Sequence, residues 1–437
     1  MMRTSRKAGA GGVAAALAGL LALTACGSPG GGSGGGAESG TVNVVLSNHP
    51  WQRGIEPLVA DFEEETGIKV NVQTFAEQQA RDRILLNLQS KSDATDVYMT
   101  LPSREGPQFS NAGYYEPLDE YLDGAPSEYA ADDFSPSAIA GMQSVDEETI
   151  AVPLNIEGPV LFYRTDVFED LGIEVPTTIE EVIEAAEKIE AAGEITPITL
   201  RGAAAAVAFD FGPFLHGEGV EWTKPDGTAN FDDPGAVKAI DEYATLAREY
   251  GPDGVINYSF TESSNLFAQG QVAMSLESSN ELNSLIDPDN STVVDHVGVA
   301  KMPAGSVEAA PTALSWGLAM SPFSKNKDAA WEFMQWATSP EVQLQLTEAD
   351  IAPPRDSVAS DPSYLESLST PAQQQWLEAV ADIQANGHTE VGPVGTKAPA
   401  MREVIGNAIG KAILGEATAE EAAAEIQDGL NDLLDQQ

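Results

Sequence analysis

Between Thr41 and Thr100 the chain alternates two hydrophobic periods, and that alternation leaves few folds open. Thr41 to Ser47 (TVNVVLS) alternates apolar and polar residues and is rich in Val, the signature of a strand. Ile55, Leu58, Val59 and Phe62 then recur at the spacing of one helix face, and Gly67 supplies the stop. Ile68 to Phe75 reads as a second strand, residues 79–89 as a second helix with Ile84, Leu85 and Leu88 inward, and Asp96 to Thr100 as a third strand. Strand, helix, strand, helix, strand specifies a parallel sheet of the α/β class. Open sheets of this kind bind ligands beyond the carboxyl ends of their strands.

The pattern continues further along. Val160 to Tyr163 reads as a strand feeding a short helix from Thr165. Thr178 with Glu181 fits a capping box, and Ile179, Val182, Ile183, Ala186 and Ile189 form the stripe of the helix that follows, ended by Gly193. Residues 196–201 read as a strand, 206–216 as a helix, and Asp233 as the cap of another that buries Val237, Ile240 and Tyr243. Residues 297–300 and 314–320 read as strands. Helices are expected over 328–337, from Pro340, over 401–414 and over 419–434. No internal repeat is present.

Ahead of this region lies a different kind of segment. Arg3, Arg6 and Lys7 precede an apolar stretch that ends Leu23-Thr24-Ala25-Cys26. A charged head, a short apolar run and small residues make a secretory signal over 1–25, which forms no part of the fold. Cys26, the sole cysteine, resembles the acylated residue of a bacterial lipobox; the other reading is a plain secretory signal with an incidental cysteine. A lone cysteine excludes an internal disulfide and a cysteine-based metal cage. Residues 26–40 are mostly Gly and Ser after Cys26, a tether reaching roughly 20 Å. No later apolar run reaches the ~18 residues that span a bilayer. The remainder, 41–437, is long enough for two lobes.

The chain carries 22 Lys and Arg against 68 Asp and Glu, a net charge of −46. Loss of Arg3, Arg6 and Lys7 with the signal takes it to −46 − 3 = −49. Such a surface repels phosphate backbones, so nucleic acid is excluded as a partner, and anionic lipid offers it no electrostatic attraction. A solvated acidic surface that favours solubility accounts for the charge better than a dedicated cation site.

Several blocks in order resemble a known family. They are LVADFEEETGIKVNV (Leu58 to Val72), the segment Asp96 to Leu122, VLFYRTDVFEDLGIEVPTTIEEV (Val160 to Val182), FAQGQVAM (Phe267 to Met274) and Ala313 to Gln343, which contains Ser-Trp-Gly. Together they are similar to the family 1, maltose-binding-protein-like, extracellular solute-binding proteins of ABC importers. The resemblance implies a type II periplasmic-binding-protein-like α/β fold. Each of its two lobes is a central sheet flanked by helices, and hinge crossings join them. Carried onto this chain, lobe one is 41–152 plus 308–355 and lobe two is 153–307 plus 356–437. The crossings fall near Val152-Pro153, Ala304-Gly305 and Pro353-Pro354. It further implies a monomeric, lipid-anchored receptor on the extracellular face of the membrane, which passes a carbohydrate or polyol to permease subunits and uses no cofactor.

A sugar site needs aromatic plates and rigid planar polar groups between the lobes. Trp316 matches the family position that stacks on sugar; its alternative is a core tryptophan. Asn48, His49 and Trp51 follow the first strand, at a carboxyl-end loop. His49 reads equally as structural, and Trp51 as helix packing. Glu157 follows the first crossing, where relatives place an acceptor for paired hydroxyls. Arg201 ends a strand and can fork to two hydroxyls. Glu277 follows the FAQGQVAM block, and Arg355 sits on a crossing as a ligand group or a hinge brace. Thr100 and Arg104 follow the third strand. The chain departs from its oligosaccharide-binding relatives in three places. No Asp stands near Thr100-Leu101, Ser278-Ser279-Asn280 stands where an aromatic is expected, and no Arg-Pro stands near Gly392-Pro393. A monosaccharide, disaccharide or polyol fits these departures.

Motifs for other chemistry are absent: no phosphate loop, no His-Glu-x-x-His and no nucleophile elbow. The four histidines are far apart in sequence, and Asp287 to Asn290 reads as a turn rather than a calcium loop. Two other classes stay open here. An anchored glycosidase needs a carboxylate pair, which composition does not exclude. A binder of peptide or ferric chelate finds an echo in Tyr114-Tyr115.

Overall fold

A computed structural model describes residues 40–436 except 145 and 348–350. The signal, Cys26 and most of the tether lie outside the described residues.

Among the described residues nine strands form two sheets. They are β1 (Thr41–Ser47), β2 (Lys69–Phe75), β3 (Val97–Thr100), β4 (Val152–Pro153), β5 (Pro159–Arg164), β6 (Thr196–Thr199), β7 (Val272–Ser278), β8 (Val297–Ala300) and β9 (Gly317–Met320). The first sheet runs β2-β1-β3-β9-β4 and the second β6-β7-β5-β8. β1 pairs in parallel with β2 and β3, as the alternation of periods predicts, while β9 returns antiparallel against β3 and β4. In the second sheet β6 and β7 are parallel and β5 is antiparallel to β7 and β8. This mixture decides which residues reach the rim. β1, β3, β6 and β7 bring their carboxyl ends to one edge, and β5 and β9, running the other way, bring their starts to it.

Each sheet has its own core. Val42, Val44, Leu46, Phe62, Leu318 and Phe333 pack on the first, and Leu161, Ile198, Phe211, Leu276, Ile405 and Ile409 on the second. Three segments connect the lobes side by side. The amide of Ile156 donates to Ala352 O, and Glu157 and Leu314 exchange both backbone bonds. Gly158 is required here, since a Cβ at this position would lie 2.1 Å from Thr312 O. Thr312 pairs in turn with His388. Ala304 instead bridges Thr178, at the start of a lobe-two helix.

Local structure departs from the sequence reading at a few places. The first helical stripe is two helices, Pro50–Ile55 and Val59–Thr66, joined by a 3₁₀ turn over Glu56–Leu58. Pro57 has no N–H to continue an α-helix and its ring crowds the preceding turn. Gly67 does end the second, in the left-handed region at φ 74°. Thr178 caps its helix by accepting from the Glu181 amide, but the Glu181 carboxylate reaches Thr177 rather than the cap residue, so the box is incomplete. A long helix over Pro371–Asn386 has no counterpart in the reading above. It carries a full capping box from Thr370 and Gln373 and buries Trp376, Ala379, Val380 and Ile383 against the second sheet. Among the described residues no helix is long and apolar enough to cross a membrane.

Candidate functional site

A cleft of about 600 Å³ opens where the rims of the two sheets face one another. Lobe one supplies Asn48 and His49 after β1, Glu77 and Arg81 on the helix after β2, and Arg104 after β3. Lobe two supplies Arg201 after β6, Phe209, Phe260, Glu281 and Arg402. Glu157 and Trp316 stand at the starts of β5 and β9, on the crossing segments.

Glu157 organises the floor. Its Oε1 accepts from Trp316 Nε1 at 2.9 Å, and its Oε2 accepts from Ser278 Oγ at 2.5 Å and Asn280 Nδ2 at 2.8 Å. The side chain is thus gripped by both lobes and the crossing. Burial alone raises a carboxyl's pKa, but the facing His49 imidazole, the Ser278 hydroxyl and the nearby Arg201 outweigh it, and Glu157 lies below the ordinary glutamate range. His49 caps the helix Pro50–Ile55 by accepting at Nδ1 from the Trp51 amide, which fixes the proton on Nε2. That Nε2 stands 3.7 Å from Glu157 Oε1, and the imidazole is tilted against Trp316 with centroids 5.5 Å apart. Trp316 is thereby held at its indole N–H while its ring borders the cleft.

Arg201 forms the second polar wall. Its Nε donates to both Glu277 oxygens at 3.0 and 3.2 Å, its Nη2 also binds Glu277, and Asp210 Oδ1 lies 3.6 Å away. The Arg201 amide donates to Asp210 Oδ2 at 2.9 Å, which fixes the chain where it leaves the sheet. The guanidinium lies 4.2 Å from the Phe209 ring centroid and 6.0 Å from Phe260, so these two rings are partly covered by the cation. Burial would lower the arginine's pKa, but Glu277 and Asp210 more than compensate and it is raised. Burial pushes Asp210 well up despite Arg201. Nearby, burial and the Glu277 charge push the Glu281 carboxyl up to about 7.

At the opposite corner Arg104 Nε donates to Glu105 at 2.7 Å and its Nη1 binds Glu77. Its Cζ lies 5.7 Å from the Trp316 ring centroid. Glu105 also accepts from the Leu101 amide at 2.9 Å.

The structure therefore brings Asn48, His49, Glu157, Arg201 and Trp316 to one cleft, with Arg104 beside them. Four other residues named from sequence do not line it. Trp51 is fully buried in the lobe-one core with Ile55 and Phe62, because the capping turn at His49 directs the next helical residue inward. Thr100 lies beneath the rim, 2.8 Å from Tyr115 Oη and donating to Glu105. Glu277 stands behind Arg201 as its counter-ion. Arg355 is wholly buried between the rings of Tyr129 and Phe134 and donates to Thr338 O and Ala130 O, both at 2.8 Å, which is the brace reading. Asn48 has its side chain at the surface, accepting from Arg53.

Arg81, Phe209, Phe260, Glu281 and Arg402 also border the cleft, and none of the sequence patterns above marks them. The helix starts that follow β2 and β6 were a usable signal for the first two. Two histidines distant in sequence also meet: His216 and His388 stack with centroids 4.0 Å apart, beside Glu221, outside the cleft lining. Tyr114 and Tyr115 pack on Phe109 and do not line the cleft. Asp287 accepts from the Asp289 amide and from Asn290 Nδ2, an Asx turn.

Comparison with known proteins places this geometry. A mannitol-binding protein of Pseudomonas aeruginosa is 27% identical over 413 residues, which are 90% of this chain and 92% of that protein. The ABC transporter solute-binding protein of Agrobacterium radiobacter solved with ribitol superposes with a TM-score of 0.81 at 25% identity, covering 90% of this chain and 98% of that one. A solute-binding protein of Agrobacterium vitis with bound D-mannitol gives 0.78 at 25% identity, covering 91% and 99%. Two sheets flanked by helices, facing one another across a cleft, give this chain the fold of these neighbours, that of type II periplasmic binding proteins. The family model for these proteins matches residues 48–344, and with that match the chain belongs to the bacterial extracellular solute-binding proteins, which bind substrates for transport and are not enzymes.

Proposed function

We propose that this protein captures a small polyol or carbohydrate in the interlobe cleft and presents it to the permease of an ABC importer. The observation that carries the reading is the Glu157 centre. A carboxylate fixed by Trp316, Ser278 and Asn280, with Arg201, Arg104 and His49 around it, offers planar acceptors and donors to successive hydroxyls. The cleft size suits a small molecule. The Trp316 ring is partly occupied by His49 and Arg104, and Phe209 and Phe260 by Arg201, which favours an open-chain polyol over a stack of pyranose rings. The mannitol-binding relative, and the similar structures holding ribitol and mannitol, support the same class.

In this reading 41–152 with 308–355 and 153–307 with 356–437 move as two bodies. Cys26 carries lipid after cleavage behind residue 25, and each buried acyl CH₂ contributes about 0.8 kcal/mol to membrane attachment. The mature monomer then works on the extracellular face of the membrane, at the end of its tether.

A thermal-shift screen of the mature domain against polyols, sugars, ferric salts and peptides tests the ligand class. A polyol at a thousandfold excess over its Kd stabilises by about 4 kcal/mol. A rise in melting temperature with a polyol or small sugar is expected. A response to ferric iron or peptide alone would overturn the reading.

A further inference from the structure

We propose that the ligand of this cleft carries an oxyanion at one end of its polyhydroxy chain, a carboxylate or a phosphate, and that Arg402 pairs with it. The inference rests on the polyol reading and narrows it.

Arg402 is 6% exposed and borders the cleft, yet its guanidinium makes no hydrogen bond or ion pair with any described residue. Its Nη2 is buried without a partner. The other arginines of the cleft are all engaged: Arg201 by Glu277 and Asp210, Arg104 by Glu77 and Glu105, and Arg81 by Glu105 at 3.7 Å and Gln108 at 3.4 Å. The charges acting on Arg402 are those of Arg81, Arg104, Glu77 and Glu105, so three cations meet two carboxylates there, and Asp82, beside Arg81, is exposed to solvent. The neighbouring Glu403 is exposed to solvent. Burial, followed by the charge of Arg104, pushes the Arg402 guanidinium down to about 9, so it remains a cation at neutral pH.

The backbone adds to this corner. Arg402 lies in the first turns of the sixteen-residue helix Ala398–Ile413, whose cap residue Lys397 supplies no side-chain acceptor, and Pro399 and Ala400 of that turn border the cleft. The helix packs against Pro102–Asn111 of lobe one, so it closes one side of the cleft. The helix Glu77–Gln89 also begins at the cleft, with Ala76, Glu77 and Gln78 bordering it and no side-chain cap. Unsatisfied N–H groups and the positive ends of helix dipoles favour an anion. An unpaired buried cation is costly, and a carboxylate or phosphate matches the planar fork of an arginine with two charge-assisted bonds. A neutral hydroxyl leaves the charge uncompensated.

Calorimetry with the mature domain tests this, using mannitol, the corresponding aldonate and mannitol 1-phosphate. One acid is expected to bind at least about tenfold more tightly than mannitol, reflecting charge-assisted over neutral hydrogen bonding. Whichever acid is tighter identifies the group. R402M should remove the preference, so that mannitol and the two acids bind with similar affinity, and R402K should retain part of it. The ligand-free R402M protein should melt no lower than the parent, because it loses an unpaired cation, and this checks that it folds. Mannitol binding as tightly as either acid, or an acid preference that survives R402M, would overturn the inference and leave the polyol reading standing. Failure of all three to bind would remove both.

Discussion

Replacing Glu157 by alanine should weaken ligand binding by at least a hundredfold, a loss of about 2.7 kcal/mol. Three donors converge on this carboxylate: Trp316 Nε1, Ser278 Oγ and Asn280 Nδ2. Each is buried, and each left without an acceptor costs about 1–3 kcal/mol. Trp316 loses the bond that fixes its ring at the cleft, and His49 loses the charge facing its Nε2. E157A should therefore lower both affinity and unfolding free energy. E157Q is a finer probe. It keeps one carbonyl acceptor but turns an NH₂ toward other donors, so it should fold better than E157A and still bind poorly. The pH dependence follows from the lowered pKa of Glu157. Its contribution is fully present above the glutamate value of the unfolded chain and is lost as the pH falls through the lower folded value. Calorimetric affinities for E157A within threefold of the parent would refute the role given to this residue.

Arg201→Met should have the largest effect on stability. It strands Glu277 and Asp210, both 1% exposed, without their shared cation. Breaking a buried ion pair from one side costs about 3–5 kcal/mol, whereas replacing both partners by apolar groups is often nearly neutral. The double variant R201M/E277L should thus recover most of the stability lost by R201M, as read by urea unfolding. It should not recover ligand binding, since the cleft would still lack its guanidinium. Recovery of binding in the double variant would show that Arg201 only supports the fold.

These two centres differ in how far the sequence reveals them. Arg201 is legible because a strand pattern ends at it, and a strand end in an α/β sheet is a rim position. Glu157 and Trp316 are legible only through their neighbours in the family blocks, since β5 and β9 reach the rim with their starts and no strand end points to them. Trp51 shows the limit of proximity reasoning. Two residues after His49 the chain is already in a helix, and the side chain faces the core rather than the cleft. Thr100 and Glu277 lie one layer below the surface they help to shape, a distinction of side-chain direction that spacing does not carry. Arg402 depends on how the last lobe-two helices dock beside lobe one, which no local pattern encodes. The strand and helix order, by contrast, rests on local periods and survives nearly intact from Thr41 to Thr100.

Small-angle scattering of the mature domain, titrated with the polyol or polyol acid that most raises its melting temperature, tests the central claim of capture between two lobes. The radius of gyration should fall saturably, with a midpoint that matches the calorimetric Kd. A ligand that binds with no compaction would place the site elsewhere than the interlobe cleft and contradict the account.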